Sequence, residues 1–262
     1  MAYIKPPADV KAIIEGGKIL GEILDVISIM AKPGVSAKQL DDKAETLILA
    51  AGGIPAFKGY KPHSAASPFP STVCSSVNAE IVHGFATAEK ILKDGDIFTM
   101  DIGMVYKGCF TDTANTVIIG DASKEVKKLL QVTHESLERA IAVCHAGNTI
   151  ADIGKAIEEY VNSQGKYGII RDLCGHGVGH AVHEEPLVLN FFDKSLKKWV
   201  LEPGVVIAIE PMITLGSEDI KTLDDNWTIV SADGSLSAHY EHTIVITDGE
   251  PIVATRRKSE KK

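Results

Sequence analysis

The sequence predicts a mixed α/β (α+β) fold in which two related halves are joined around a common sheet. Two amphipathic helical patterns followed by strand-like segments occur twice along the 262 residues. The stretches 92–101 and 201–210 also share a spacing: a glycine three positions after a leucine, then an acid six positions after the glycine. Because no compositional break marks a linker, we predict one domain over residues 1–262.

In the first half, residues 8–31 carry an amphipathic helical pattern that ends at Lys32-Pro33-Gly34. Ser36 is placed to cap a second helix, which reaches the glycines at positions 52 and 53. A loop with four prolines follows over 54–71. Three extended segments complete this half, the last two joined by a turn at 107–108: 78–84, 97–104 and 109–119.

The second half repeats this order. A helical pattern over 123–146 is followed by a second helix, for which Thr149 and Asp152 are spaced as a capping box. Three strand-like segments then follow: 205–212, 227–232 and 236–247.

Composition restricts the classes of partner. The net charge of −8 disfavours binding to a phosphate backbone, so we expect no nucleic-acid partner. No signal-peptide pattern and no apolar run of about 18 residues is present, so we expect no membrane association. The four cysteines are scattered without CxxC spacing. This usage is typical of a reducing compartment, so we expect a cytoplasmic protein. We also expect a monomer.

The first chemical signal is a pair of aspartates on the hairpin 97–119. Residues whose numbers sum to 215 face each other if the turn is at 107–108, so Asp101 lies opposite Ala114 and Asp112 opposite Gly103. The two carboxylates then share a face as a diagonal pair, with small residues leaving space between them. A divalent cation between the anions would relieve their repulsion, whereas an exposed acidic hairpin face is the alternative.

Two further acids extend this pattern. Glu210 follows an apolar run, and Glu241 lies inside a strand-like segment, where an unpaired charge would be costly to bury. Exposure at a strand end or a buried salt bridge would also explain them. Glu185 lies in a loop and is not predicted as a ligand.

The segment 174–186 carries three histidines among glycines. His176, His180 and His183 would stack on a helix, but glycines at 175, 177 and 179 favour strand or loop. The HExxH pattern of zinc proteases is absent. We therefore expect that glycine lets the backbone approach a ligand and that at least one histidine reaches a site. His180 is interpreted as an ordinary hydrogen-bonded histidine.

The charges of these residues suggest a metal pair. Four carboxylates would balance two divalent cations, with neutral His176 as a further ligand. A carboxylate-rich set with one imidazole favours manganese, iron, cobalt or zinc over calcium. Two such ions support hydrolysis.

In this order, these residues resemble the methionine aminopeptidase family over about residues 4–253. The matching motifs are spread along the chain: 76–84, 94–112, 174–179, 183–186, 209–212, 227–228 and 237–243. The resemblance implies a pita-bread fold, with two pseudo-symmetric halves around a curved antiparallel sheet. It also implies removal of the initiator methionine from nascent polypeptides when the second residue is small. The implied partners are the N-termini of these polypeptides, met at the ribosome.

The resemblance also assigns site residues. The implied ligands of two divalent ions (Co, Mn, Fe or Zn) are Asp101, Asp112, His176, Glu210 and Glu241, with Asp112 and Glu241 bridging. The implied catalytic residues are His83, His183 and Glu210, both histidines also contacting substrate. The implied methionine pocket comprises Tyr60, Phe69, Cys74 and Trp227. A monovalent cation near Asn78 and Ser237 is a further implication.

Two departures from the family pattern concern the pocket. Val182 stands where a bulkier aromatic residue is usual, which predicts a wider pocket, and the loop 61–68 is longer than usual. Two alternative functions stay open: an Xaa-Pro aminopeptidase of the same fold, and a non-catalytic pita-bread binding protein. The first would cleave only Xaa-Pro peptides, and the second should have lost metal ligands.

Overall fold

A computed structural model describes residues 4–62 and 67–260 of the chain and confirms the mixed α/β class. Its four α-helices match the predicted order: α1 (Pro7–Met30), α2 (Ala37–Ala50), α3 (Lys124–Ile141) and α4 (Ile150–Gln164). Two 3-10 turns cover Lys194–Lys198 and Lys258–Glu260. The predicted helix 123–146 was too long at its end, because the chain turns after Ile141 to bring the Gly147 N–H onto the Leu201 carbonyl.

The caps of α2 and α4 are as expected. The Ser36 side chain accepts from the Gln39 N–H, and Gln39 accepts in return from the Ser36 N–H at 2.9 Å. The Asp152 carboxylate accepts from the backbone and the hydroxyl of Thr149. Both caps satisfy N–H groups that a helix start would otherwise leave unpaired.

The described residues contain fifteen short strands, all paired antiparallel in four sheets. Their bounds are β1 (Ile54–Pro55), β2 (Val73–Val77), β3 (Glu80–Val82), β4 (Ile97–Tyr106), β5 (Cys109–Ile118), β6 (Gly168–Ile169), β7 (Gly175–Gly177), β8 (Glu184–Val188), β9 (Val206–Ile209), β10 (Met212–Thr214), β11 (Ile220–Thr222), β12 (Ile229–Ser231), β13 (Ser237–His239), β14 (His242–Val245) and β15 (Ile252–Val253). The sheets run β1-β4-β2 with β5 beside β4, β13-β10-β6, β11-β12-β3 and β15-β14-β9-β7-β8.

Two segments that were each predicted as one continuous strand are each divided into two strands in the structure. The segment 205–212 divides into β9 and β10 at Glu210-Pro211, where proline cannot donate to a ladder. The segment 236–247 divides into β13 and β14 at Glu241, whose backbone N–H donates to the Ala114 carbonyl at 3.0 Å. The pairing register nevertheless runs through both breaks, since Ile209 pairs with His242 and Met212 with His239.

The two halves repeat the same backbone hydrogen bonds. Before the start of α2, the Gly34 N–H donates to the Leu92 carbonyl. Before the start of α4, the Gly147 N–H donates to the Leu201 carbonyl in the same way. The paired glycines of the sequence repeat are also equivalent. Gly95 and Gly204 both have φ +90° and donate to the carbonyls of Ile119 and Ile246 respectively. The local repeat therefore reflects a repeated structure.

The helices cover one face of the strands. Helices α1 and α2 pack on the apolar face of β4, where Phe98, Met100, Ile102 and Met104 are fully buried. Helices α3 and α4 pack on the β9 and β14 side of the second half. The predicted hairpin register is confirmed, with Asp101 opposite Ala114 and Asp112 opposite Gly103. The aspartates accordingly lie on the face turned away from the helices.

Candidate metal centre and substrate cavity

A cavity of about 340 Å³ opens on the face that carries the aspartates. It collects every residue that the family resemblance assigned to catalysis, substrate or the two divalent ions: Tyr60, Phe69, Cys74, His83, Asp101, Asp112, His176, His183, Glu210, Trp227 and Glu241. The four acids and the imidazole of His176 come from four separate parts of the chain, yet they line the same space. Their individual roles stay predictions.

The hairpin places its two aspartates as expected, but Gly103 does not serve to leave open space between their carboxylates. A Cβ on Gly103 would lie 2.7 Å from Cε1 of Phe57. The space beside Asp112 is therefore taken up by the Phe57 ring, which also lines the cavity.

His176 lies in the middle of β7, between β8 and β9. Its glycine neighbours serve strand packing, because a Cβ on Gly175 or Gly177 would lie 2.3 Å from a carbonyl oxygen of β9 or β8. We expected close approach to a ligand, and the structure shows close approach to neighbouring backbone. The His176 Nδ1 is 2.9 Å from the Gly177 carbonyl oxygen, which can only accept. The proton is thus on Nδ1, and Nε2 keeps a lone pair for a cation.

The carboxylate cluster has the donor set and the unmet polar atoms of a cation site. One oxygen of Asp112, one of Glu241 and a nitrogen of His176 lie within 4.8 Å of one another. Among the described residues, Asp101 Oδ1, Asp112 Oδ1 and Glu241 Oε1 are buried without a hydrogen-bond partner. A buried, unpartnered carboxylate oxygen is costly, and a divalent cation is the partner that these oxygens fit.

The pKa values of the cluster reflect the same crowding. Burial, followed by the charges of neighbouring carboxylates, raises the pKa of Asp112 and of Glu241 well above the ordinary range. Burial also raises the pKa of Asp101 to about 6. Bound cations would favour the ionised forms of all three groups.

Glu210 lies between two imidazoles. Its Oε1 is 3.6 Å from His176 Nε2, and its Oε2 is 3.3 Å from His239 Nε2. Burial acts to raise the pKa of Glu210, but His239 and His176 outweigh it, and the pKa is lowered. His239 was not among the site residues predicted from the sequence. The register of the second half, in which His239 faces Met212, was the signal that could have found it.

His83 and His183 stand on the walls of the cavity. The His183 ring centre is 4.5 Å from that of His176, and the Tyr60 hydroxyl is 3.0 Å from His183 Nδ1. Burial, followed by the neighbouring His176, lowers the pKa of His183 to about 4. Burial also lowers the pKa of His83. Both rings are therefore neutral near pH 7 and can donate a hydrogen bond from one nitrogen.

An apolar cluster forms the wall beside the carboxylates. Phe69 meets Trp227 edge to face at 5.2 Å between ring centres, and Cys74 is buried with them. Val182 is buried in the same cluster. The longer loop over 61–68 falls partly outside the described residues. Seven further residues line the cavity without having been predicted as site residues: Phe57, Pro62, Val82, Asp172, Leu173, Cys174 and Met212.

Two other interpretations concern residues beside the site. His180 is exposed, and its Nε2 is 2.8 Å from Asp9 Oδ2, so it is a hydrogen-bonded surface histidine as interpreted. Glu185 is exposed and does not line the cavity. Its predicted place in a loop was wrong, because it lies in β8, which pairs with β7. The Ser237 hydroxyl donates to the carbonyl oxygens of Asn78 and Glu80, and the monovalent cation there stays a prediction.

Comparisons with known proteins identify the family. The profile of metallopeptidase family M24 matches residues 11–248. The methionine aminopeptidase of Clostridium acetobutylicum is 40% identical over 255 residues, which are 97% of this chain and 99% of that protein. A crystal structure of methionine aminopeptidase from Thermotoga maritima superposes with a TM-score of 0.91 at 36% identity, covering 97% of this chain and 99% of that one.

A more distant likeness shows the fold alone. The X-Pro aminopeptidase of Thermotoga maritima superposes with a TM-score of 0.71 at 20% identity, over 97% of this chain and 62% of that one.

The family match and the buried carboxylate cluster define a metal-dependent hydrolase. The chain belongs to metallopeptidase family M24, and its likeness to methionine aminopeptidases extends over nearly its full length. The superposition confirms the predicted pita-bread fold. In the described part of the chain, none of the helices is long and apolar enough to cross a membrane.

Proposed function

We propose that this chain is a methionine aminopeptidase that removes the N-terminal methionine from nascent polypeptides when the second residue is small. One observation carries the proposal: the cation-binding cluster and an apolar aromatic wall lie in the same cavity. A thioether side chain suits such a wall because sulfur packs favourably against ring edges. The 40% identity to a methionine aminopeptidase over nearly the full chain supports the same substrate.

The five ligating side chains would hold two divalent ions, of manganese, iron, cobalt or zinc. Asp101 would complete one ion and His176 with Glu210 the other, while Asp112 and Glu241 would be shared. When bound, the ions would supply Lewis-acid polarisation of the peptide carbonyl and activation of a water. Four carboxylates match the charge of two such ions, which agrees with the unpartnered oxygens on Asp101, Asp112 and Glu241.

The histidines would act on the substrate as neutral donors. Because Tyr60 contacts Nδ1 of His183, the Nε2 of that ring is left to meet the peptide. His83 would stand on another part of the cavity wall. One of these rings would help to protonate the leaving amine, and the other would stabilise the tetrahedral intermediate. Glu210 would move a proton, since its lowered pKa keeps it ionised before reaction.

A pair of peptides tests the activity. The purified chain with Mn²⁺ should release methionine from Met-Ala-Ser and leave Ala-Pro-Ser uncut. Exclusive cleavage of the Xaa-Pro peptide would instead identify the first alternative, which at present rests on a likeness of fold at 20% identity.

A variant tests the non-catalytic alternative. Asp112→Asn keeps the size of the side chain but removes its charge, and should abolish release of methionine while the fold is kept. The matched control is Asp121→Asn, an exposed acid that pairs with Lys127 and does not line the cavity. Release of methionine by Asp112→Asn that persists after chelation would contradict a metal mechanism.

The remaining parts of the proposal follow from this substrate. The partners would be the N-termini of nascent chains, which the protein would meet in the cytoplasm near the ribosome. Residues 1–262 would form the single catalytic domain. A ribosome pelleting assay with the intact chain would measure that association directly.

A further inference from the structure

His239 is a buried imidazole for which the proposed reaction has no use. The side chain is 1% exposed. Neither ring nitrogen has a hydrogen-bond partner among the residues that the structure describes. A buried polar group without a partner costs free energy, so such a group calls for an explanation.

The backbone position of His239 is equivalent to that of Asp112. The hydroxyl of Thr116 accepts from the His239 N–H at 2.9 Å and donates to its carbonyl at 2.7 Å. The hydroxyl of Thr243 accepts from the Asp112 N–H at 2.9 Å and donates to its carbonyl at 2.8 Å. Glu210 is likewise equivalent to Asp101, because each follows its φ +90° glycine by six residues. The second half thus pairs an acid with an imidazole where the first half pairs two acids.

The surroundings of the Glu210 carboxylate leave His239 as its donor. His176 Nε2 is 3.6 Å from Oε1, but the proton of that ring is on Nδ1, at the Gly177 carbonyl. Asn190 donates to the backbone carbonyl of Glu210 and not to its side chain. His239 Nε2 lies 3.3 Å from Oε2, slightly longer than an ideal hydrogen bond, and such contacts tighten when a site is loaded.

We propose that His239 is a positioning residue that donates its Nε2–H to Oε2 of Glu210. This bond fixes the plane of the carboxylate and leaves Oε1, on the His176 side, for the cation. The inference rests on the proposed role of Glu210 as a metal ligand. The proposed hydrogen bond explains why position 239 holds a histidine and not an acid like its equivalent, Asp112. A carboxylate would add a fifth negative charge to the cluster, whereas a neutral imidazole supplies a hydrogen-bond donor.

Two substitutions separate donation from packing. His239→Gln keeps an N–H donor at a similar reach, and His239→Leu keeps volume without a donor. We would measure Mn²⁺ binding by calorimetry, kcat and KM on Met-Ala-Ser, and the unfolding temperature of the metal-free protein. His145→Leu, after the end of α3, is the matched control for a histidine-to-leucine change.

We expect His239→Leu to weaken Mn²⁺ binding and to lower kcat by about tenfold each, the usual effect of losing the group that orients a ligand. His239→Gln should stay within about threefold of wild type. The metal-free His239→Leu protein should unfold at a temperature close to that of wild type, because the 3.3 Å contact between His239 Nε2 and Glu210 Oε2 contributes little before the site is loaded.

Three results would overturn the inference. They are unchanged Mn²⁺ affinity in His239→Leu, equal losses in the leucine and glutamine variants, or a loss of stability in the metal-free leucine variant that accounts for its lower activity. Mn²⁺ calorimetry needs no substrate. If the wild type cleaved only Xaa-Pro peptides, the proposed function would be wrong. The Mn²⁺ affinities of the two variants relative to wild type would still test the role of His239.

Discussion

The buried ion pair between Lys5 and Glu184 should stabilise the loop that carries His183. The Lys5 side chain is fully buried and its ammonium contacts Glu184, whose carboxylate also accepts the backbone N–H groups of His180 and Ala181. Removing one partner of a buried pair costs about 3–5 kcal/mol. Glu184 would keep its two N–H donors and remains partly exposed, so we expect Lys5→Met to cost about 3 kcal/mol, the lower end of that range.

This free energy corresponds to a measurable change in unfolding temperature. With an unfolding entropy of about 2 cal/mol/K per residue, 3 kcal/mol lowers the midpoint by about 5–6 °C in a chain of this length. Lys107→Met is the matched control, since Lys107 forms an exposed pair with Glu15 and should leave the midpoint unchanged within error. A Lys5→Met midpoint equal to that of the control would refute the argument.

The same pair predicts how the difference depends on pH. Burial acts to raise the pKa of Glu184, but Lys5 and the backbone N–H groups outweigh it, and the pKa in the folded protein is lowered. A group with a lowered folded pKa contributes stability above its unfolded pKa of about 4.3 and loses it as the pH falls through the folded value. The gap in free energy of unfolding between wild type and Lys5→Met should therefore be full at pH 7 and narrow below about pH 4. A gap that widened in acid would contradict this sign.

Three further predictions concern the site. Mn²⁺ should raise the unfolding temperature of wild type and not of Asp112→Asn, in scanning calorimetry with matched metal-free samples, because binding only to the folded state stabilises it. Gly177→Ala should destabilise the chain or displace β7, since its Cβ would lie 2.3 Å from the Glu185 carbonyl, and the free energy of unfolding in urea would show it. Trp227→Ala should raise KM for Met-Ala-Ser by about tenfold with kcat little changed, because it removes wall contacts made equally in ground and transition states; a selective loss of kcat would contradict that reason.

The parts of the fold that could be predicted from sequence were those determined by local interactions. The β4–β5 register followed from a two-residue turn, and Lys107 and Gly108 both have the positive φ that such a hairpin turn requires. The caps at Ser36 and Thr149 also depend on residues only three positions away. A pattern within one short window contains all the information that these features need.

The rest depended on partners far along the chain. Strand β7 is three residues long and pairs with β9, about thirty residues later, so Gly175–Gly177 carries no alternation that predicts it. The breaks at Glu210 and Glu241 were missed because the apolar pattern continues across both. Charge balance alone suggested the four acids and His176 as metal ligands but left exposed acids or buried salt bridges as alternatives, and only the family resemblance assigned a role to each ligand.

The pseudo-twofold relation explains how Glu241 enters the cluster without distorting the sheet. Its equivalent in the first half is Ala114, and the two residues face each other, with the Glu241 N–H donating to the Ala114 carbonyl and the Ala114 N–H donating in return. A second large acid at position 114 would compete for the same space and add charge. The small residue in one half therefore makes room for the shared ligand in the other. Departure from symmetry at this pair, and at Asp112 and His239, converts two similar halves into one cluster of four acids.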